Sequence, residues 1–297
     1  MATPSAVPHA PPVVRKPTAV LVSTADACRV GCRFCFRADR GSDVLDLATY
    51  ARALSRLKEL GIHEVCLSGG EPTDHAGFRD LVRISLQFGL PVSTVTAARE
   101  GVRAERLTSA AGMLSWITLS ADSAQAGRLG GVNRSLATAL PLIRQLPRGR
   151  VSLHLTCWNL SAEEVDHCAD IVLRTGVRLE ISPLLPSERF SPVADRGSLT
   201  AQWANDQKLL LSRFTLSDAL SKNLEGYTSP FDPTAPASVC ASSRLYLSAS
   251  GEIRRCPYDH ERGISIWADR SEMEARVQRL FTHPSRTARS CLGICHS

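Results

Sequence analysis

At 297 residues, with 43% hydrophobic and 22% charged side chains, the chain can bury a large core, as one large domain or one large domain and a small one. No apolar run approaches the roughly 18 residues of a membrane-crossing helix, which excludes a helical membrane protein. The net charge of +6 comes from basic residues, almost all arginine, spread along the chain among acidic ones, so it marks no nucleic-acid face and names no partner.

Met1 to Lys16 is rich in proline and lacks the apolar stretch of a signal peptide, so it reads as a disordered tail. Without a signal, the ten cysteines read as metal sites in a reducing compartment, and the protein is expected to be cytoplasmic. Ala19 to Thr24 is the first expected strand. It leads into Cys28, Cys32 and Cys35, spaced C-x3-C-x2-C. Three thiolates so placed can hold three irons of a cubane and leave the fourth iron open. A structural zinc would need another nearby Cys or His, and the next histidine is His63.

Asp46 caps an expected helix over Leu47 to Leu60, closed by Gly61. Glu64 to Ser68 is the second strand, followed at once by Ser68-Gly69-Gly70-Glu71-Pro72. A helix over Ala76 to Phe88, a strand over Pro91 to Ala98 and a short helix over Val102 to Ala111 come next. Then come a strand over Trp116 to Ala121, a helix over Leu136 to Leu146 that tolerates Pro141, and a strand over Val151 to Trp158. Ser161-x-x-Glu164 is a capping box that opens a helix ending near Gly176, and Val177 to Ile181 is the sixth strand. Strands and helices in strict alternation call for a parallel sheet with right-handed crossovers.

Period two within these strands separates a polar face from an apolar one. The polar set is Glu64, Cys66 and Ser68; Thr94 and Thr96; Thr118, Ser120 and Asp122; His154, Thr156 and Trp158; and Arg178, Glu180 and Ser182. It is assigned to the lumen of the sheet, where uncompensated polar groups are costly, so it points to a bound polar substrate or to mutual hydrogen bonds.

The cysteine triplet with Phe34 before its last cysteine, together with the Gly-Gly-Glu stretch, resembles the radical S-adenosylmethionine (SAM) superfamily from about Thr18 to Pro186. The resemblance implies an α/β fold, a partial (β/α)6 barrel, with sites at the C-terminal strand ends. It also implies a [4Fe-4S] cluster on Cys28, Cys32 and Cys35 that binds SAM through its open iron. Phe34 would lie near the adenine, Gly69, Gly70 and Glu71 near the SAM amino group, Ser120 near the ribose, and Asn159 would be a further polar contact. An external electron donor such as flavodoxin or ferredoxin is implied as well.

Past Pro186 the pattern changes. A loop to Gly197 precedes a helix from Leu199 to about Leu220, and Gly226 to Ser238 is irregular. Arg244 to Ser248 and Glu252 to Arg255 form a hairpin around Ser250-Gly251. Cys240, Cys256, Cys291 and Cys295 resemble the ligands of a SPASM or twitch domain, so residues 187–297 are expected to carry one auxiliary iron–sulfur cluster, with four-cysteine zinc as the rival.

The chemistry implied is cleavage of SAM to a 5′-deoxyadenosyl radical that takes a hydrogen atom from a substrate. Because the barrel begins near residue 18, with no room before it for a leader-recognition domain, a small polar substrate is expected. The nearest resemblance is to aminoglycoside epimerases acting on an aminosugar in antibiotic biosynthesis. In that reading Cys256 returns a hydrogen atom, and Asp122, His154 and Glu180 meet the substrate. A dehydrogenase that uses the auxiliary cluster as electron acceptor, and a peptide-modifying enzyme, are the alternatives.

Overall fold

The computed structural model describes residues 16–32, 34–35, 41–129, 135–184, 196–214, 243–257 and 263–282. The proline-rich tail, Cys240, Cys291 and Cys295 lie outside them.

Six strands run parallel in the expected order: β1 (Ala19–Ser23), β2 (Glu64–Ser68), β3 (Val92–Thr96), β4 (Trp116–Asp122), β5 (Val151–Cys157) and β6 (Arg178–Pro183). The connecting helices are α1 (Leu47–Glu59), α2 (Phe78–Gln87), α3 (Gly101–Ala111), α4 (Ala124–Leu129), α5 (Ala139–Ile143) and α6 (Ala162–Thr175). Their signals act locally as the sequence suggests. Asp46 accepts from the Ala48 and Thr49 amides at the start of α1. The Ser161 and Glu164 capping box opens α6, and Gly176 ends it in the left-handed conformation at φ 68. Pro141 is accommodated because the chain there is a 3-10 turn, Leu136–Thr138, running into a five-residue helix whose first turn holds the proline.

The sheet is not closed. Its order is β6-β5-β4-β3-β2-β1-β7-β8-β9, with β7 (Arg244–Leu247), β8 (Glu252–Arg254) and β9 (Ile264–Ser265) added beyond β1. β7 is parallel to β1, and β8 turns back antiparallel, so the hairpin extends the barrel sheet. Two further helices are described, α7 (Arg196–Leu211) and α8 (Arg270–Thr282). Met273 and Val277 of α8, Leu247 of β7 and Ile253 of β8 join the same apolar core as Val20, Leu67 and Leu119.

Register overturns one assignment of faces. Thr94 pairs with Leu67 and Ile117, and Thr96 with Leu119. Residues paired across a parallel ladder share a face, so Thr94 and Thr96 lie on the helix-covered side, and Ser93 and Val95 look into the lumen. Thr94 is fully buried there because its hydroxyl donates to the Leu67 carbonyl. The rest of the polar set shares the lumen face: Cys66 is in register with Ser93, Thr118 with Ser152, and Ser120 with His154 and Glu180. Thr118 and Ser152 bond each other at 2.9 Å, and Trp116 donates to Ser152 at 3.0 Å, so part of that face satisfies itself.

Candidate functional site

The site forms where β1 and β2 end. A bridge between Ala25 and Val44 closes the loop that carries the three cysteines, with Asp26 N–H donating to Asp43 O at 2.9 Å and Leu45 N–H to Thr24 O at 3.1 Å.

The Gly-Gly-Glu stretch docks onto that base. Gly69 has φ +94, and a Cβ there would stand 2.3 Å from the Ser23 Cα. A Cβ on Gly70 would stand 2.6 Å from the Ala27 carbonyl and 2.7 Å from that of Ala25, while the Gly70 amide donates to Ala25 O at 2.8 Å. Gly69 is therefore required by its backbone conformation and the end of β1, and Gly70 by the base of the cysteine loop.

Glu71 is 2% exposed, and its carboxylate accepts four hydrogen bonds: from the Thr73 amide at 3.1 Å and hydroxyl at 2.6 Å, from the Ala97 amide at 2.7 Å, and from the Thr96 hydroxyl. The carboxylate expected beside a SAM amino group thus ties the end of β2 to the end of β3. What this stretch turns toward the loop is its backbone. His75 extends the clamp, with Nε2 donating to Leu45 O at 2.8 Å and Nδ1 accepting from Gly77 N–H at 3.0 Å, which fixes the neutral tautomer. Arg103 of α3 grips Asp74 through two bonds of 2.7 and 2.8 Å.

Cys28 is exposed, and Cys32 and Cys35 are half-exposed; none of the three is in a disulfide. Desolvation pushes the Cys28 thiol up, helped by the nearby charges of Glu71 and Cys35 and opposed by the Val30 and Gly31 amides. Among the described residues no three Cys, His, Asp or Glu side chains are gathered as a metal centre. The donor set itself, three reachable thiols beside a rigid backbone wall, suits a cubane with one open iron. Phe34, between Cys32 and Cys35, is half-buried.

Arg99 was missed by sequence reading. It follows β3 and donates to Ala98 O at 2.7 Å and to the Ser120 carbonyl, so a guanidinium bridges β3 and β4 at the mouth. An arginine just past a strand gives no local signal of that reach.

Cys256, expected to return a hydrogen atom, lies just past the end of β8. β8 descends from the turn at the top of β7, and Arg254 already pairs with Tyr246, so Cys256 lies two residues further toward the N-terminal end of the sheet. The cysteine loop leaves the opposite end of β1, roughly 13 Å away by strand rise alone. Cys157 and Cys168 are buried on the helix side, and burial pushes the Cys168 thiol to about 12. Cys66 faces the lumen, where burial raises its pKa against the opposing Ser93 hydrogen bond and Arg244 charge. Asp122 is 2% exposed, and His154 and Glu180 are half-buried on the lumen face. Asn159 stands apart from the loop, on the rim of a cleft against α7.

The Radical SAM superfamily model matches residues 22–146, the segment holding the cysteine loop, the Gly-Gly-Glu clamp and β1 to β4. That segment is similar to a radical SAM domain. The PqqA peptide cyclase of a Methylobacterium species is 28% identical over 189 residues, 58% of this chain and 48% of that protein, so the chain spans about half the length of the curated relatives it matches. SuiB of Streptococcus suis, solved bound to its precursor peptide SuiA, superimposes with TM-score 0.61 at 15% identity, over 94% of this chain and 71% of that one. The anSMEcpe structure with bound AdoMet and the Cp18Cys peptide gives TM-score 0.60 at 13% identity, over 89% and 82%. These structures share the radical SAM fold. The family implies a [4Fe-4S] cluster and SAM. The sequence relatives are named as PqqA peptide cyclases and lend no support to the expected aminoglycoside epimerase and aminosugar substrate. Among the described residues no helix is long and apolar enough to cross a membrane.

Proposed function

We propose that this chain is a radical SAM enzyme whose substrate is a peptide, in which it closes a link by removing two hydrogens, one as an atom taken by the 5′-deoxyadenosyl radical and one as a proton whose electron passes to the proposed auxiliary cluster. The observation that carries the radical SAM part is the docking of Gly69 against Ser23 and of Gly70 onto the Ala25 and Ala27 carbonyls, beside the thiols of Cys28, Cys32 and Cys35. The peptide part is supported by the relatives named as PqqA peptide cyclases.

Cys28, Cys32 and Cys35 would hold three irons, and the bound cluster and SAM supply a 5′-deoxyadenosyl radical. The backbone of Gly69 and Gly70, held by Glu71, borders the amino end of SAM. Phe34 flanks the adenine, and Ser120 the ribose. Arg99 offers a charge suited to a carboxylate at the mouth. Asp122, His154 and Glu180 line the lumen toward the substrate. Cys240, Cys256, Cys291 and Cys295 are proposed as donors to one auxiliary cluster, and the electron comes from a flavodoxin- or ferredoxin-type protein.

The test is anaerobic reconstitution, with dithionite, SAM and the peptides encoded by short reading frames beside the gene. A peptide that loses two hydrogens by mass, with 5′-deoxyadenosine formed, supports the reading. Deuterium entering an aminosugar in heavy water, with every peptide unchanged, would sink it.

A further inference from the structure

Beside the C-terminal end of β5 lies a cleft of about 380 Å³ that the chemistry above does not use. One wall is Asn159 and Leu160, which follow β5. The other is a stripe of α7 that includes Gln202, Asn205, Lys208 and Leu209, whose spacing of three and four residues sets them on one helix face.

The walls are held rigidly. Asn159 is the one non-glycine residue with positive φ among the described residues, at φ 54. Such a conformation persists where the surroundings enforce it. Here the enforcement is Asp206, 2% exposed on α7. It accepts the Asn159 amide at 3.0 Å and the Leu160 amide at 2.8 Å, and it is steadied by the Gln202 side chain at 3.0 Å. Ser123 pins the preceding residue, accepting the Trp158 amide and donating to the Trp158 carbonyl, each at 3.0 Å. Trp203 and Leu210 root α7 in the core. A strained turn fixed to a helix from outside the six strand units builds a cleft with set walls.

We infer that this cleft is a subsite for an extended segment of the peptide substrate. A carboxamide offers one donor and one acceptor side by side, the complement of a peptide unit, and Asn159, Gln202 and Asn205 bring three of them. Leu160 and Leu209 accept an apolar side chain, and exposed Lys208 takes a carboxylate. The buried Asp206 carboxylate is engaged by the Asn159 and Leu160 amides and the Gln202 side chain. The cleft lies beside the C-terminal end of β5, the end of the parallel sheet at which the cysteine loop also leaves β1. This inference rests on the peptide reading above.

The test uses full-length reconstituted enzyme and a peptide that the wild type modifies. Asn205→Ala and Lys208→Glu change exposed side chains, so both should fold. Each is expected to raise the peptide KM about tenfold, the loss of one well-placed contact, with kcat nearly unchanged. Formation of 5′-deoxyadenosine without peptide should stay within about twofold of wild type. Unchanged peptide KM in both variants overturns the subsite, as does an equal loss of peptide-free 5′-deoxyadenosine. If the wild type modifies no peptide, the peptide reading itself has failed and the subsite falls with it.

Discussion

Gly70 is bounded by two carbonyl oxygens that cannot move without opening the cysteine loop, whereas Gly112, after α3, has nothing within 4 Å of its would-be Cβ. Gly70→Ala should therefore cost about 1–3 kcal/mol of stability in urea titration and cut 5′-deoxyadenosine formation at least about tenfold. Gly112→Ala, at φ −64, should be neutral in both. Equal behaviour of the two variants would show that the close approach at Gly70 is not what the site needs. Thr96 makes a related case. Thr96→Val leaves the Glu71 carboxylate short of one donor in a buried place, which should cost about 1–3 kcal/mol, while Thr96→Ser should restore it. Reconstituted iron per chain and urea midpoints would check this, and a Thr96→Val protein as stable as wild type would refute the clamp. The two glycines could be picked out in the sequence, but their neighbour could not. Close approach of backbone to backbone leaves no mark in either segment alone.

Whether an element can be read in a sequence depends on whether its signals are local. The start of α1 was readable because Asp46 acts within three residues, and its carboxyl is held below the usual range chiefly by the Thr49 hydrogen bonds and then by Ala48. A depressed carboxyl adds stability that is present above its unfolded pKa and lost as pH falls through the folded one. Asp46→Ala should thus cost about 1 kcal/mol at neutral pH. The difference in Tm from wild type should shrink below about pH 4. A difference that stays constant into acid would rule out the charged cap. The faces of β3 were misread for the opposite reason. Thr94 and Thr96 are polar, but their hydroxyls are satisfied by the Leu67 carbonyl and Glu71, partners that only the register supplies. Helix α8 sets Met273, Val277, Leu280 and Phe281 against the core at helical spacing, a local signal that the sequence reading passed over.

At the scale of the molecule, the sequence suggested a barrel followed by a separate C-terminal unit, since hairpins with cysteines look self-contained and nothing in β7 names β1 as its neighbour. The structure instead pairs Ala19 to Val22 with Arg244 to Leu247 in parallel, and sets Gly251 of the hairpin turn 3.3 Å by its would-be Cβ from Thr49 of α1. Arg52 of α1 stacks over Trp267 at 4.3 Å. A sheet shared in this way should unfold as one unit. Leu119→Ala in β4 and Leu247→Ala in β7, both from fully buried positions, should each cost about 2–5 kcal/mol. Both should move the same transition, whether followed by far-UV circular dichroism or by the fluorescence of a variant keeping only Trp267. The physical reason is that losing β7 strips the edge of β1, whose far end carries the cysteine loop, so damage at Leu247 should also lower iron retained after reconstitution. A Trp267 transition that precedes loss of the parallel sheet, with iron content untouched, would mean that the hairpin folds on its own and that the shared sheet does not couple the two halves.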